Sequence, residues 1–301
     1  MGQKDITQKA IEAYNDVFSD IINNLIFHGE AVVKENDLQD AKTQSAYKAE
    51  DKIVREQGRD VSKIWKANGC DIRIAFMGLE NETEPEDDMP FRVIGYDGAA
   101  YRDQIGYVTD KVGKRHKKLE RYPVVTLVLY LGYKKHWDKA RSIYDVLNDK
   151  LDDRLKPFVQ DYKINLFEIA YLEEEQVAGF KSDFRILADY LVQMRKNDTY
   201  IPSDVEMVHV REVLDMMSVM TNDNRFIEVA DEVSKRKGEI TMCAVLDEVE
   251  NRGVNRGREQ EQRERIAVML RKGLKPEEVS NYGDYPLKLV LEVERNMTMP
   301  V

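Results

Sequence analysis

The stretch CDIRIAFMGLENETEPEDDMPFR, residues 70–92, changes character halfway along. In its first half Ile72, Ile74 and Phe76 alternate with Ala75, Met77 and Leu79, so both faces of an extended chain would be apolar. That pattern predicts a strand covered on both sides, as in a layered α/β fold. The run then stops on Glu80, Glu82 and Glu84, with Glu86, Asp87 and Asp88 immediately behind. Carboxylates packed this densely repel one another unless water screens them or a cation holds them. Glu80 and Glu82 share a side of the sheet if the strand continues through them, whereas Glu84 precedes Pro85, where the chain is leaving. The later acids also fit a solvated loop approaching a helix N-terminus, where negative charge is favoured.

A hydrolytic Mg²⁺ site needs two or three carboxylate oxygens converging on one point. Asp71 cannot join Glu80, because nine residues of strand separate them by roughly 30 Å. Asp60 precedes the turn signal KANGC (residues 66–70), so a hairpin can bring it alongside Glu80.

Working outward, residues 9–27 place Ile11, Tyr14, Phe18, Ile21, Leu25 and Ile26 at helical spacing, which predicts one amphipathic helix. Residues 34–52 read as a polar loop or short exposed helix, and RDVSKIW (59–65) as a short extended or mixed piece. Residues 88–105 predict a helix with Asp88 as cap and Pro90 in the first turn, made imperfect by Gly95 and Gly98. YPVVTLVLYLGY (122–133) and INLFEIAYL (164–172) predict two more buried strands, with a helical piece at 142–155 between them. This alternation is that of an α/β layer fold.

Beyond about residue 173 the pattern is helical. Phe180, Phe184, Leu187, Leu191 and Met194 share one face; Val213, Leu214, Met217 and Met220 share another. Such Met-bearing faces are ordinary packing surfaces. NRGVNRGREQEQRER (251–265) is a charged repeat suited to an exposed helix or a flexible connector. Residues 265–295 read as two short helices around a Gly-containing turn, a weak helix-turn-helix signal.

Composition narrows the classes. The chain has 301 residues, 42% hydrophobic and 34% charged, room for one large domain or two smaller ones. The longest apolar run has 12 residues, short of the roughly 18 a membrane helix needs. The start MGQKDITQKA is polar, without a secretory pattern, and Ile6 breaks the myristoylation pattern. Cys70 and Cys243 support neither a disulfide framework nor a zinc site, so the expected compartment is a reducing cytoplasm. His28, His116, His136 and His209 lack metalloprotease spacing, and neither a P-loop nor a G-x-S-x-G elbow occurs. Charge is uneven: residues 111–141 hold ten Lys/Arg against two acids, +8 out of a total of −10, so the rest carries −18. Such asymmetry suits an anionic partner on one face, or simply a solvated basic loop.

RDVSKIW, the residue 74–105 segment, YPVVTLVLYLGY, INLFEIAYL and FKSDFRILADYLVQMRKN (180–197) occur in an order that resembles the recombination-promoting nuclease (Rpn) family, whose members are also labelled transposases. That family belongs to the PD-(D/E)XK nuclease superfamily, and the resemblance spans most of residues 10–235. It implies a mixed sheet flanked by helices, with a nuclease-like core at 1–175, a helical extension at 176–250 and a charged helical tail at 251–301. Asp60 and Glu80 match the family's metal-binding Asp and Glu. Glu82 stands where the family has Gln and the wider superfamily Lys; a third carboxylate adds ligand charge but no hydrogen-bond donor. Arg92 and Tyr101 fall where the family places residues facing the site, with Gln104 in support. Arg92 could pair with the scissile phosphate or with Asp87 or Asp88. The first helix often lends an acid in this superfamily, here Asp16 or Asp20, though a solvated helix face explains both at least as well.

The expectation is a Mg²⁺-dependent DNA endonuclease, with Mn²⁺ or Ca²⁺ as substitute ions, linked to recombination or mobile elements. Asp60, Glu80 and Glu82 carry the chemistry, while Lys114, Arg115, Lys117 and Lys118 track the DNA backbone. No membrane contact is expected, and a homodimer is a candidate assembly. The rival expectation keeps the fold and discards catalysis, leaving a DNA-binding or protein-interaction module.

Overall fold

The apolar runs at residues 70–79 and 122–133 become neighbouring strands, and the sheet they share organises the chain. The computed structural model describes residues 3–41, 44–48, 54–58, 60–67, 70–79, 87–118, 121–236 and 238–298. These fall into two compact units, Met1–Met242 and Cys243–Val301.

The first unit opens with two helices rather than the one predicted, α1 (Gln3–Glu12) and α2 (Asn15–Leu25). Tyr14 sits between them in an extended conformation (φ −68°, ψ 138°). Its ring stacks on His209 at 3.6 Å between centroids, and its hydroxyl donates to Glu212 Oε1 at 2.8 Å. A continuous helix could not aim Tyr14 at these partners while α2 buries Val17, Phe18, Ile21 and Ile22 completely.

Residues 34–52 correct the loop-or-helix expectation. They contribute a 3₁₀ turn (Glu35–Asp37), the edge strand β1 (Leu38–Asp40) and strand β2 (Gln44–Lys48), which pairs with β3 (Val54–Gly58). β1 is only three residues long and is fixed by its partner, Leu38 lying opposite Trp65. RDVSKIW resolves into strand β4 (Val61–Ala67), hairpin-paired with β5 (Cys70–Leu79) from Val61 opposite Phe76 to Ala67 opposite Cys70. Its interior Lys63 is 1% exposed and extends its ammonium to Asp40 Oδ1 at 2.7 Å.

Helix α3 (Met89–Asp103) follows β5, and strand β8 (Val124–Tyr130) runs parallel to β5. Between them lies a two-stranded ribbon of β6 (Tyr107–Thr109) and β7 (Arg115–Lys117). Asp88 stands at the N-cap of α3 without a side-chain cap bond, and Pro90 occupies the first turn. Gly95 and Gly98 leave the helix unbroken, because Met89, Val93 and Tyr96 bury one continuous face against Val128 and Ile164. Strand β9 (Asn165–Glu168) runs parallel to β8 and completes the order β1-β4-β5-β8-β9. It is shorter than the predicted 164–172 strand. Ile169 and Ala170 are both fully buried and belong to a 3₁₀ turn, whose Ala170 carbonyl accepts from Arg195 Nε at 2.7 Å. The result is a mixed α/β fold, antiparallel on one side of β5 and parallel on the other.

Short α4 (Ile143–Leu147) precedes β9; α5 (Glu174–Gly179), α6 (Phe184–Asn197), α7 (Val210–Thr221) and α8 (Arg225–Val233) follow it. The Leu187/Leu191 and Val213/Leu214/Met217 faces are buried, as their spacing predicts.

In the second unit the charged repeat is helical throughout, inside the 30-residue α9 (Met242–Arg271). The i,i+4 pairs Glu248–Arg252 and Glu261–Arg265 support it. Helices α10 (Pro276–Gly283) and α11 (Leu287–Thr298) then close a small core of Ile266, Val279, Val290 and Val293.

One buried polar group joins α3 to the sheet. Asp97, 3% exposed, accepts from Thr126 Oγ1 at 2.6 Å through Oδ1 and from the Tyr162 hydroxyl through Oδ2. Asp97→Ala removes this acceptor from both hydroxyls and is expected to cost about 2–4 kcal/mol, measured by urea denaturation. Asp97→Asn, which keeps the volume and one acceptor, loses less.

Candidate functional site

Parallel pairing lines up the carboxyl ends of β5, β8 and β9, with Leu79 opposite Tyr130 and Tyr130 opposite Glu168. In open α/β sheets this edge is where ligands bind. The antiparallel β4 begins at the same edge, because Val61 pairs with Phe76 near the end of β5. Asp60, the residue before Val61, therefore stands beside the part of β5 that leads into residue 80. Its Oδ1 meets Lys9 Nζ at 2.8 Å, with the two side chains 16% and 18% exposed. Asp71 pairs opposite Lys66 at the other end of the hairpin, which keeps it from that edge. Glu80 and Glu82, with Glu84 and Glu86, lie outside the described residues. Among the described residues, no three His, Cys, Asp or Glu side chains converge where a metal ion could sit.

The edge holds a second cluster that the sequence reading missed. Glu168 Oε1 accepts from the Trp137 amide at 2.7 Å and meets His136 Nδ1 at 3.1 Å, while Oε2 lies 3.3 Å from Arg141 Nη2. His136 stacks on Tyr171 at 3.6 Å, and the Arg195 guanidinium covers Tyr171 at 4.9 Å. Burial, followed by the charges of Tyr171, Asp138 and Glu168, pushes the Tyr130 hydroxyl up to about 12. The signal was present: Glu168 is the one charged residue in INLFEIAYL. Lys9 had no comparable signal, because only the fold brings α1 to Asp60.

Arg92 is half-buried on α3, and Asp87 meets Lys139 at 3.8 Å. Tyr101 is 46% exposed, and its hydroxyl accepts from the Val124 amide at 3.2 Å. Gln104 is buried at 3%, donating to the Tyr122 carbonyl (3.0 Å) and accepting from the Tyr122 amide (2.9 Å). Its amide thus clamps the base of the β6–β7 ribbon. Lys114, Arg115, Lys117 and Lys118 all lie on or beside that ribbon, and all are exposed except the partly covered Lys118. Lys118 Nζ donates to the Asp103 carbonyl at 2.6 Å.

With this geometry in place, the sequence profile of the family described as "Putative transposase, YhgA-like" matches residues 31–220. The chain belongs to that family. The YhgA-like stretch runs from before β1 into α7, so it holds the whole sheet, the ribbon, the Glu168 cluster and Asp60, but not Lys9. Comparison with curated proteins and with solved structures returns no match. Among the described residues, no helix is long and apolar enough to cross a membrane.

Asp16 and Asp20, both on α2, precede the YhgA-like stretch, and each is engaged elsewhere. Asp16 meets His209 Nε2 at 2.9 Å. Asp20 Oδ2 accepts from the Lys181 amide, the Ser182 amide and Ser182 Oγ at 2.7–2.8 Å. Both line a cavity of about 230 Å³ together with Asn23, Asn24 and Lys181.

The ribbon turn carries its own titrating group. Asp110 accepts from His116, and from the amides of Lys114 and Val112, which together hold its carboxyl below the usual carboxylate range. A depressed folded value means the contribution is complete above the ordinary value of 3.8 and is lost as pH falls through the lower folded one. The amide proton shifts of Val112 and Lys114 are therefore expected to move together below that pH, and Asp110→Asn to abolish the transition.

Proposed function

We propose that this chain is a metal-dependent DNA endonuclease of the PD-(D/E)XK type, acting in recombination or the movement of mobile elements. The observation that carries the reading is the β4–β5 register, which brings Asp60 to the end of β5 that continues into Glu80. The strand order β1-β4-β5-β8-β9, with a helical crossover between its first parallel pair, supports the same superfamily. The transposase label of the family supports a DNA substrate and the biological setting.

Asp60 and Glu80 offer hard carboxylate oxygens, a donor set suited to Mg²⁺, with Mn²⁺ or Ca²⁺ as substitutes. When bound, such a cation lowers the pKa of a coordinated water and offsets charge on the phosphate. The chain's own residues do the rest. Asp60 and Glu80 fix the position of the ion, and Glu82 is a further ligand or orients the water. Arg92 pairs with the phosphodiester. Lys114, Arg115, Lys117 and Lys118 supply sequence-independent attraction for the DNA backbone.

A second reading has its own observation. Lys9 already neutralises Asp60 at 2.8 Å, and Glu82 brings no donor. Both suit a nuclease fold retained for DNA binding or protein interaction without cleavage.

Plasmid nicking at low salt separates the two. Cleavage that requires Mg²⁺ or Mn²⁺, stops with EDTA and falls at least 100-fold in Asp60→Ala and in Glu80→Ala establishes the nuclease. Wild type as inert as the variants, with DNA still bound, establishes the second reading. Lys9→Met removes the competing ammonium and is expected to tighten Mn²⁺ binding severalfold by calorimetry; an unchanged affinity argues against Asp60 as a ligand.

A further inference from the structure

The β6–β7 ribbon has no place in the hydrophobic core. All six of its strand residues are exposed, Tyr107 among them (60%), and so are Ile105 (67%) and Val112 (92%). A lone two-stranded hairpin is marginal in water, yet this one is built with care at both ends. At the tip, Asp110 Oδ1 accepts from the Val112 and Lys114 amides, and Gly113 takes the positive φ (+84°) the turn requires. At the base, the Lys118 amide bonds to the Gly106 carbonyl at 2.8 Å, and Arg121 reaches the carbonyls of Gln104 and Lys118. The chain thus invests in the shape of a projection that buries nothing.

Its charge is also unspent. Asp110, the acid of the turn, is engaged by His116. Lys111, Lys114, Arg115 and Lys117 make no ion pair among the described residues. Arg115 instead lies over the Tyr107 ring at 4.8 Å. The register Tyr107 opposite Lys117 and Thr109 opposite Arg115 places Tyr107, Arg115 and Lys117 on one face. That face is cationic and aromatic, and the tip presents an aliphatic side chain.

We propose that this ribbon enters the major groove of duplex DNA. The inference rests on the DNA-binding reading and adds the element and the groove. Two paired strands with their side chains fit a groove about 12 Å wide and not one of about 6 Å. From Tyr107 to Val112 the chain reaches roughly 15–20 Å, more than the groove's depth of about 8.5 Å. Lys111, Lys114, Arg115 and Lys117 meet the phosphates on the two walls, and Val112 meets base edges such as the thymine methyl group.

The test is binding of the full chain to a short mixed-sequence duplex in EDTA, read by fluorescence anisotropy across a salt series. Lys111→Ala/Lys114→Ala/Lys117→Ala is expected to weaken binding roughly 10- to 100-fold at low salt and to flatten the log–log salt slope by up to about 2.7. The matching Lys→Arg triple restores both. Val112→Asp weakens binding, and guanine N7 atoms protected from methylation by wild type become reactive in that variant. Unchanged thermal melting is expected for all of them, since the altered side chains bury nothing. Unchanged affinity and slope, protection confined to the minor groove, or no binding by wild type each overturns the proposal. So does a variant effect on self-association alone, which would make the acidic surface of a second copy the ribbon's partner. Metal-dependent nicking is scored separately: a wild type that binds through the ribbon without cutting keeps this inference and removes the nuclease, and the reverse result does the opposite.

Discussion

A carboxylate taken out of water must be given hydrogen-bond donors in its place, and Asp97 obtains them from two different elements. Thr126 comes from the middle of β8 and Tyr162 from the approach to β9. Because Asp97 is anchored on α3, the pair of bonds holds the crossover helix, the central parallel strand and the loop beyond it in one arrangement. The apolar contacts of Met89, Val93 and Tyr96 with Val128 and Ile164 supply the larger energy but are less demanding in direction. The hydrogen bonds add the register. Together with the strand pairing, that arrangement sets the position of Glu168 and its hydrogen-bond partners at the carboxyl edge of the sheet.

The strands that could be read in advance are those whose two faces are both apolar. β8 is the clearest, with Leu127, Val128 and Leu129 all fully buried. β4 was harder because Lys63 interrupts its pattern; the whole side chain is buried, its ammonium paired with Asp40, which local spacing cannot reveal. β1 was illegible for another reason: three residues paired to a distant strand carry no periodicity of their own. The division of α1 from α2 depends on Tyr14, whose partners lie far along the chain. Asp60 was legible as a partner for the end of β5 because a turn signal separates the two segments. Lys9 was not, and neither were the ribbon's strands, whose polar residues look like any charged loop until Asp110 and Gly113 are seen to shape a turn.

The two edge clusters show opposite uses of the same chemistry. Asp60 is paired with the Lys9 ammonium at 2.8 Å, and an incoming cation would compete with that ammonium directly. Glu168 is surrounded by an amide, an imidazole and a guanidinium and is better suited to organising positive groups than to releasing them. The contrast gives the two carboxylates distinct parts along one edge.

The stitching of α2 and the residues before it has a consequence for synthesis. Asn24 donates to the Gln176 carbonyl, Asp20 accepts from Ser182, Asp16 meets His209 and Tyr14 donates to Glu212, across 152, 162, 193 and 198 residues respectively. On the ribosome α2 emerges long before these partners, which come from the later part of the first unit. Until they do, its apolar face lacks part of its covering, and the loops to be closed are among the longest the unit can make. The first unit therefore closes only once α7 has been made, and nascent chains that stop short of α7 leave Tyr14 and Asp16 without their distant partners.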